Sequence, residues 1–309
     1  MSATVTITTV SSFIGFLLNS TVLYLVLSRG KQKYHYLFAG ILFVCAIWDL
    51  GITIAMLRNE HPADLIKLGY IVTVPCMFLM PLFLHFTWSY LGYPRVKTTI
   101  ILWVTAAIMA ILMATGISGR INDVYSYSWG NIWKGDPDWR FFMILAIPLY
   151  IAVILTVCWF LYRQIKQEKT TVNRRHMIYV LVSFLAIGLA IVKAFSVVGV
   201  DWPFLLPAGM ALNDVFIAVI GVAIVKERLF DITVVIKKGA LYSVIGAGVI
   251  FLFSFSEHIL ATYVGEFLGE DSFLIHLISI AVVIAVLMPI KHRFEKFLNS
   301  YFSSRRFEF

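Results

Sequence analysis

Long apolar runs separated by short polar connections fill this chain from near its N-terminus to Met288. A bilayer core of ~30 Å takes about 20 helical residues to cross. Runs near that length fall at Val10–Leu27, Tyr36–Leu57, Leu68–Leu91, Thr99–Ile117, Phe141–Tyr162, Met177–Val198, Phe204–Val225, Ala240–Thr262 and Phe273–Met288. The pattern predicts an all-α polytopic membrane protein of about nine transmembrane helices. A seven-helix bundle occupies residues 1–225 and a two-helix hairpin residues 239–289. Between them, residues 226–238 (KERLFDITVVIKK) break the pattern, being too polar to cross a bilayer and too apolar for a free loop. Such a segment reads as a short element lying in the headgroup layer, apolar side down.

The longest connection, Ser118 to Arg140, carries Tyr125, Tyr127, Trp129, Trp133 and Trp139 around Gly130, Gly135 and Asp136-Pro137-Asp138. Val124–Trp129 alternates in the strand manner, which predicts a small hairpin capping one end of the bundle. Two readings of its aromatics stay open: a lid contacting a ligand, or a belt at the membrane interface. After Pro289, Ile290, Phe294, Phe297 and Tyr301 recur at helical spacing among Lys291, Arg293, Lys296, Arg305 and Arg306. The tail, residues 290–309, is thus either one side of a two-helix seam in a homodimer or a helix resting on anionic lipid.

Composition agrees with the pattern: 60% of the residues are hydrophobic, 14% are charged, and the mean hydropathy is +0.88. Spans and short connections leave no room for a soluble domain of ordinary size. The net charge of +8 would suggest nucleic acid in a soluble protein; here its distribution points to topology instead, and no nucleic-acid partner is expected. Of the 25 Lys and Arg, only Arg58, Lys67, Arg120, Lys134 and Arg140 lie on one set of connections and Lys193 inside a span; all the rest lie on the alternate set. Cationic residues concentrate on the cytoplasmic side, which puts the N-terminus outside, the C-terminus inside, and the Trp-rich loop outside. The expected location is the cell (inner, cytoplasmic) membrane. No cleavable signal peptide is expected, since no Lys or Arg precedes the first span. Cys45, Cys76 and Cys158 all fall within spans, so neither a disulfide framework nor a thiolate metal site is indicated.

An ionisable group inside a span is a functional-site hypothesis by default. Asp49, Lys193, Asp214 with Asn213, and Glu257 with His258 all fall in the outer halves of their spans. The similar depth of Asp49, Asp214 and Lys193 allows an Asp49–Lys193 or Asp214–Lys193 ion pair, either as part of a pocket beneath the Trp-rich loop or as a purely structural pair. Candidate ligand-binding residues are therefore Trp48, Asp49, Trp129, Trp133, Lys193, Asn213 and Asp214. His85 lies towards the inner side and His258 and His276 towards the outer, so no pair suits haem. No cofactor is expected.

The run Arg228–Ser243, RLFDITVVIKKGALYS, resembles the joint that follows the seven-helix membrane sensor region of bacterial sensor histidine kinases. Pro289–Phe309 resembles the segment by which those proteins leave the membrane, although Asn299, Ser300, Tyr301 and Phe302 stand where the family has an Asp-Arg-Phe-like core. Ala46-Ile47-Trp48 and Trp129-Gly130 fit the family's layout as well. The resemblance implies a sensor or receptor module of two-component signal transduction. In it Arg228, Leu229, Asp231, Lys237, Lys238 and Tyr242 form the signal joint, passing a change to a cytoplasmic effector in the same chain or in a partner protein. None of the seven histidines stands in a phosphoacceptor context, and no Gly-rich phosphate loop is present, so the chain as written is not expected to be an enzyme. Two rivals carry separate expectations. In a transporter or channel lined by Asp49, Lys193 and Asp214, Asp214→Asn abolishes flux. In a structural subunit of a larger membrane complex, substituting these residues is neutral.

Overall fold

A computed structural model describes residues 3–58, 61–93, 96–128, 130–227 and 229. The chain divides into two compact units, Met1–Val234 and Val235–Phe309, and the described residues belong to the first. The division falls inside the stretch 226–238 expected as the joint. The expected eighth and ninth spans and the tail lie outside the described residues, as do Trp129, Arg228, Asp231, Lys237, Lys238, Tyr242, Glu257 and His258.

Nine helices and one hairpin are described: α1 (Ala3–Arg29), α2 (Lys33–Leu57), α3 (Pro62–Cys76), α4 (Leu79–Tyr90), α5 (Val96–Ala114), β1 (Ile121–Tyr127), β2 (Gly130–Gly135), α6 (Pro137–Gln167), α7 (Thr171–Leu189), α8 (Lys193–Val197) and α9 (Leu205–Glu227). Taken as spans, α3 with α4 and α7 with α8 each count once. Among the described residues seven helical segments are long and apolar enough to cross a membrane.

The two broken spans have sequence causes. Near the end of α3, Pro75 is followed by tighter i→i+3 bonds, Met77 N–H to Val74 O at 3.3 Å and Phe78 N–H to Pro75 O at 3.0 Å, before α4 resumes. The sixth span tightens into a 3-10 turn at Ala190–Val192, so that α8 starts at Lys193 itself. By contrast, Pro148 sits inside α6 without interrupting it.

Helix α2 is the centre of the bundle. Two thirds of its apolar window (67%) is buried within the protein, against 17% for α5, which rides on the outside against α3 and α4. The spans close a ring in the order α2, α1, α9, α7, α6, α4. Side chains such as Ile14, Ile101, Ile108, Phe141, Leu155 and Val222 point outward and exposed, as a protein whose solvent is lipid requires. Towards the C-terminal end of α6 the cationic heads of Arg163 and Lys166 lie over Trp159 (5.6 Å) and Tyr162 (4.6 Å), an arrangement suited to a bilayer interface.

The hairpin pairs β1 and β2 antiparallel, with Tyr125 opposite Ile132 and Tyr127 opposite Gly130 and a register shift between Ile121 and Asp123. Asp136 caps α6: its carboxylate accepts from Trp139 N–H at 2.8 Å and from Arg120 N–H at 2.9 Å, which fixes the hairpin base to the helix start. The exposed Asp123–Lys134 pair (2.9 Å) crosses the strands. The hydrogen bond from Lys134 holds the Asp123 carboxyl below its usual range, but at this exposure the pair adds little stability.

Trp133 and Trp139 are fully buried, which removes both from an interfacial belt. Trp133 enters because α3 carries Gly69 opposite: a Cβ there would lie 2.7 Å from the Trp133 indole. On the other side, Tyr127 Oη donates to the Ser196 carbonyl of α8 at 2.9 Å, tying the hairpin to the sixth span. Burial first, then the proximity of Tyr125 and Asp201, pushes the Tyr127 phenol well above its ordinary value. Because the folded state holds that proton more tightly, this contribution is complete below about pH 10, where an unfolded tyrosine titrates, and declines as pH rises beyond it. Tyr127→Phe should cost about 1 kcal/mol of hairpin attachment. Limited proteolysis of residues 121–135 across alkaline pH checks it: the wild type should become cleavable above about pH 10, and the variant should be cleaved more readily at neutral pH with a flatter pH response.

Candidate functional site

Two apolar cores stack along the bundle. One, at the hairpin end, includes Val5, Ile52, Trp133, Trp139, Leu206 and Met210. The other includes Val22, Phe38, Phe83, Val157, Phe184 and Phe216. Between them, on α1, α2, the sixth span and α9, lies a polar layer.

Asp49 of α2 is at its centre and is fully buried. Its Oδ2 accepts from Asn19 Nδ2 of α1 at 2.8 Å, and Asn213 Nδ2 of α9 donates to both oxygens at 2.9 Å. Asn19 also donates to the Gly15 carbonyl at 3.0 Å. Thr53, one turn along α2, bonds the Asp49 carbonyl at 2.8 Å and the Ser12 hydroxyl at 2.9 Å. One carboxyl group thereby clamps three helices, both of its buried oxygens met by amide donors.

Asp214, next to Asn213, accepts from Ser11 Oγ of α1 at 2.6 Å through Oδ2, while its buried Oδ1 has no partner. Gly15 of α1 separates the two acids: a Cβ there would lie 2.7 Å from an oxygen of each. Ser11, Gly15 and Asn19 are spaced four apart and so share one helix face. Sequence reasoning missed this face, because serine, glycine and asparagine are unremarkable in a membrane helix; the four-residue spacing in an otherwise apolar run is the signal that would have found it.

Lys193 makes neither ion pair that its depth suggested. Among the described residues the one pair within 4.0 Å is Lys134–Asp123. For Asp49 the physical reason is competition, since its oxygens are held by two amides, and the Lys193 ammonium lies instead over the Trp48 ring, 4.7 Å from its centroid. Trp48 in turn meets Trp133 of the hairpin edge to face at 6.4 Å. A continuous contact therefore runs from β2 through Trp48 to Lys193.

Below Lys193 is a cavity of about 100 Å³. Five spans line it, with Lys193, Asn213 and Tyr150 as its polar groups beside Trp48. The rest is soft and apolar: Met77 from the break in the third span, Met80, Met143, and the thiols of Cys45 and Cys76. Thus Trp48, Lys193 and Asn213 share one cavity. Asp49 and Asp214 stand behind it, and Trp133 roofs it by way of Trp48.

Helix α9 touches this region twice. At Gly209 a Cβ would meet Lys193 Cβ at 2.6 Å and the Ala190 carbonyl at 2.9 Å, so glycine lets α9 lie against the 3-10 turn. One turn further along, Asn213 holds Asp49. The buried face continues through Phe216, Ile217, Ile220 and Ile224 to Leu229, the joint residue that is described, which is fully buried in the second core.

A bundle of seven membrane-length helical segments with an internal polar layer beside a cavity is what the described residues define. The N-terminal 7TM region of histidine kinase is a family whose model matches residues 8–233, and the chain belongs to that family. It is a membrane-embedded, multi-pass sensor module of the histidine-kinase type; the matched segment is the sensor region and not a catalytic kinase domain. No curated protein matches the chain.

Proposed function

We propose that this chain is the input module of bacterial two-component signalling in the cytoplasmic membrane, with the N-terminus and the hairpin outside and the C-terminus inside. Occupancy of the cavity changes how α9 seats against α1 and α2. Helix α9 carries that change to residues 226–238, and from there to an effector in the same chain or in a partner protein. The observation that carries this reading is the bond of Asn213 to both Asp49 oxygens, one helical turn from the Gly209 contact with Lys193. Helix α9 thereby reads the cavity wall and the central clamp at once. A ligand shifts such a device only by binding its two packings unequally, and residues shared between cavity and clamp are where that inequality arises. Residues 239–309 would supply the homodimer contact, and the basic joint the effector contact.

The test is Asn213→Leu, which removes both bonds to Asp49 at similar side-chain volume. With the protein inserted at wild-type level, downstream phosphorylation in cells should lose most of its response while vesicles show no flux. Asn19→Leu, on the opposite side of the clamp, should do the same. Unchanged output from both well-inserted variants would overturn the reading, and flux that these substitutions abolish would replace it with transport.

A further inference from the structure

The geometry points to a small organic monocarboxylate with a compact apolar body as the ligand of the cavity. This rests on the reading that the cavity is where input arrives, and adds the chemistry of what arrives. The only formally charged residue in the lining is Lys193. Among the described residues its ammonium has no carboxylate within 4.0 Å. The Trp48 face balances part of the charge but accepts none of its three N–H bonds in the way an oxygen would. The Trp48 indole N–H also lacks an acceptor. Neither Asp49 nor Asp214 is part of the lining: Asp49 is committed to Asn19 and Asn213, and Asp214 accepts from Ser11. The cavity thus offers one cation short of acceptors in an apolar chamber, the complement of one anionic oxygen group on an apolar body.

Charge and size narrow the class. A phosphate monoester brings close to two negative charges and three acceptor oxygens and would need arginine or several backbone amides, whereas the lining supplies a single ammonium. A carboxylate matches it one to one. The volume of about 100 Å³ is smaller than the ~150 Å³ cavity known to hold benzene, which sets the body beyond the carboxyl group at fewer than about six heavy atoms. Met77, Met80 and Met143 are adaptable walls, so a group of related short-chain acids would fit rather than one shape alone. The acid could arrive from water or, with a longer chain, from the bilayer.

Calorimetry on the full chain in lipid nanodiscs tests this with sodium hexanoate, with 1-hexanol as the neutral counterpart, and with palmitate incorporated in the disc. Hexanoate should bind saturably, and hexanol more weakly by at least about tenfold, the loss expected when a charge-assisted bond goes unmade. Lys193→Met should weaken hexanoate by a similar factor while leaving hexanol unchanged, which also reports an intact cavity. Lys193→Arg should stay within a few-fold of wild type. Displacement of hexanoate by palmitate assigns a membrane-borne source, and its failure a water-borne one; either supports the carboxylate. Equal affinity for hexanoate and hexanol, equal hexanoate affinity in wild type and Lys193→Met, or no saturable binding overturns it. Binding is read here without any effector, so the two readings fail separately. If hexanoate does not bind but Asn213→Leu still silences output, only the ligand class falls. If hexanoate binds but Asn213→Leu leaves output intact, the α9 mechanism falls.

Discussion

Replacing Asp49 with alanine should destabilise the bundle, and replacing it with asparagine should not. Alanine deletes the acceptor of Asn19 and Asn213 together, but the two amides do not suffer equally. Asn19 keeps its bond to the Gly15 carbonyl at 3.0 Å. Asn213 loses both of its bonds and becomes a buried donor without a partner. Such an orphan costs roughly 1–3 kcal/mol, to which the small cavity left at position 49 adds. Asp49→Asn retains one acceptor oxygen and introduces an amide hydrogen donor. Two oxygens with no donor, Asn19 Oδ1 and Asn213 Oδ1, are available to receive it. The expected cost is within about 1 kcal/mol, the net worth of a single hydrogen bond. Thermal unfolding in nanodiscs separates the two: alanine should lower the midpoint clearly, and asparagine should track the wild type. Equal destabilisation by both would mean that the charge itself, not the hydrogen bonds, holds the three helices.

Gly209→Ala should be as severe through a different cause. The added methyl would lie 2.6 Å from Lys193 Cβ, 2.9 Å from the Ala190 carbonyl and 3.0 Å from the Lys193 backbone nitrogen. Two of those atoms are backbone and cannot swing aside, so α9 itself must move off the sixth span. Overpacking of this kind costs typically about 1–3 kcal/mol. Because α9 also carries Asn213, the same displacement should pull the amide away from Asp49 and fix the output at one level regardless of stimulus. The discriminating comparison is Gly221→Ala on the same helix, where the nearest atom to an added Cβ is Val22 Cγ2 at 3.7 Å, an ordinary contact. That variant should insert, melt and signal like the wild type, while Gly209→Ala should insert but melt lower and lose its response.

Periodicity makes the seven membrane-length helical segments of the described residues legible in the sequence. Apolar runs need only be long, and length survives errors of a few residues at each end: the first helix begins at Ala3 rather than Val10, and the fifth span extends to Gln167. The hairpin is equally legible, since strand alternation is local, whereas Asp136-Pro137-Asp138, expected as a turn, instead caps and opens α6. The candidate site was read in halves. Trp48, Asp49, Lys193, Asn213 and Asp214 stood out because charge, amide and indole are conspicuous in apolar helices, and they do converge on one layer. Their pairing was not legible. A charged lysine and two acids at similar depth suggest ion pairs, yet the acids are met by Asn19 and Ser11, residues whose importance depends on which face of α1 turns inward. Gly15 and Gly209 were hidden for a related reason, since a glycine's role is defined by the neighbour that comes close to it.

The sixth span ends in five residues, Lys193–Val197, set off by the 3-10 turn on one side and Gly199 on the other. This short segment is held by the hairpin through Tyr127 and Ser196, and its first residue is the cation of the cavity. Two surfaces in different media therefore share one small piece of backbone. Any coupling between them is reciprocal: a contact on the hairpin that changes the affinity of the cavity is matched by an equal free energy passed from the cavity to the hairpin.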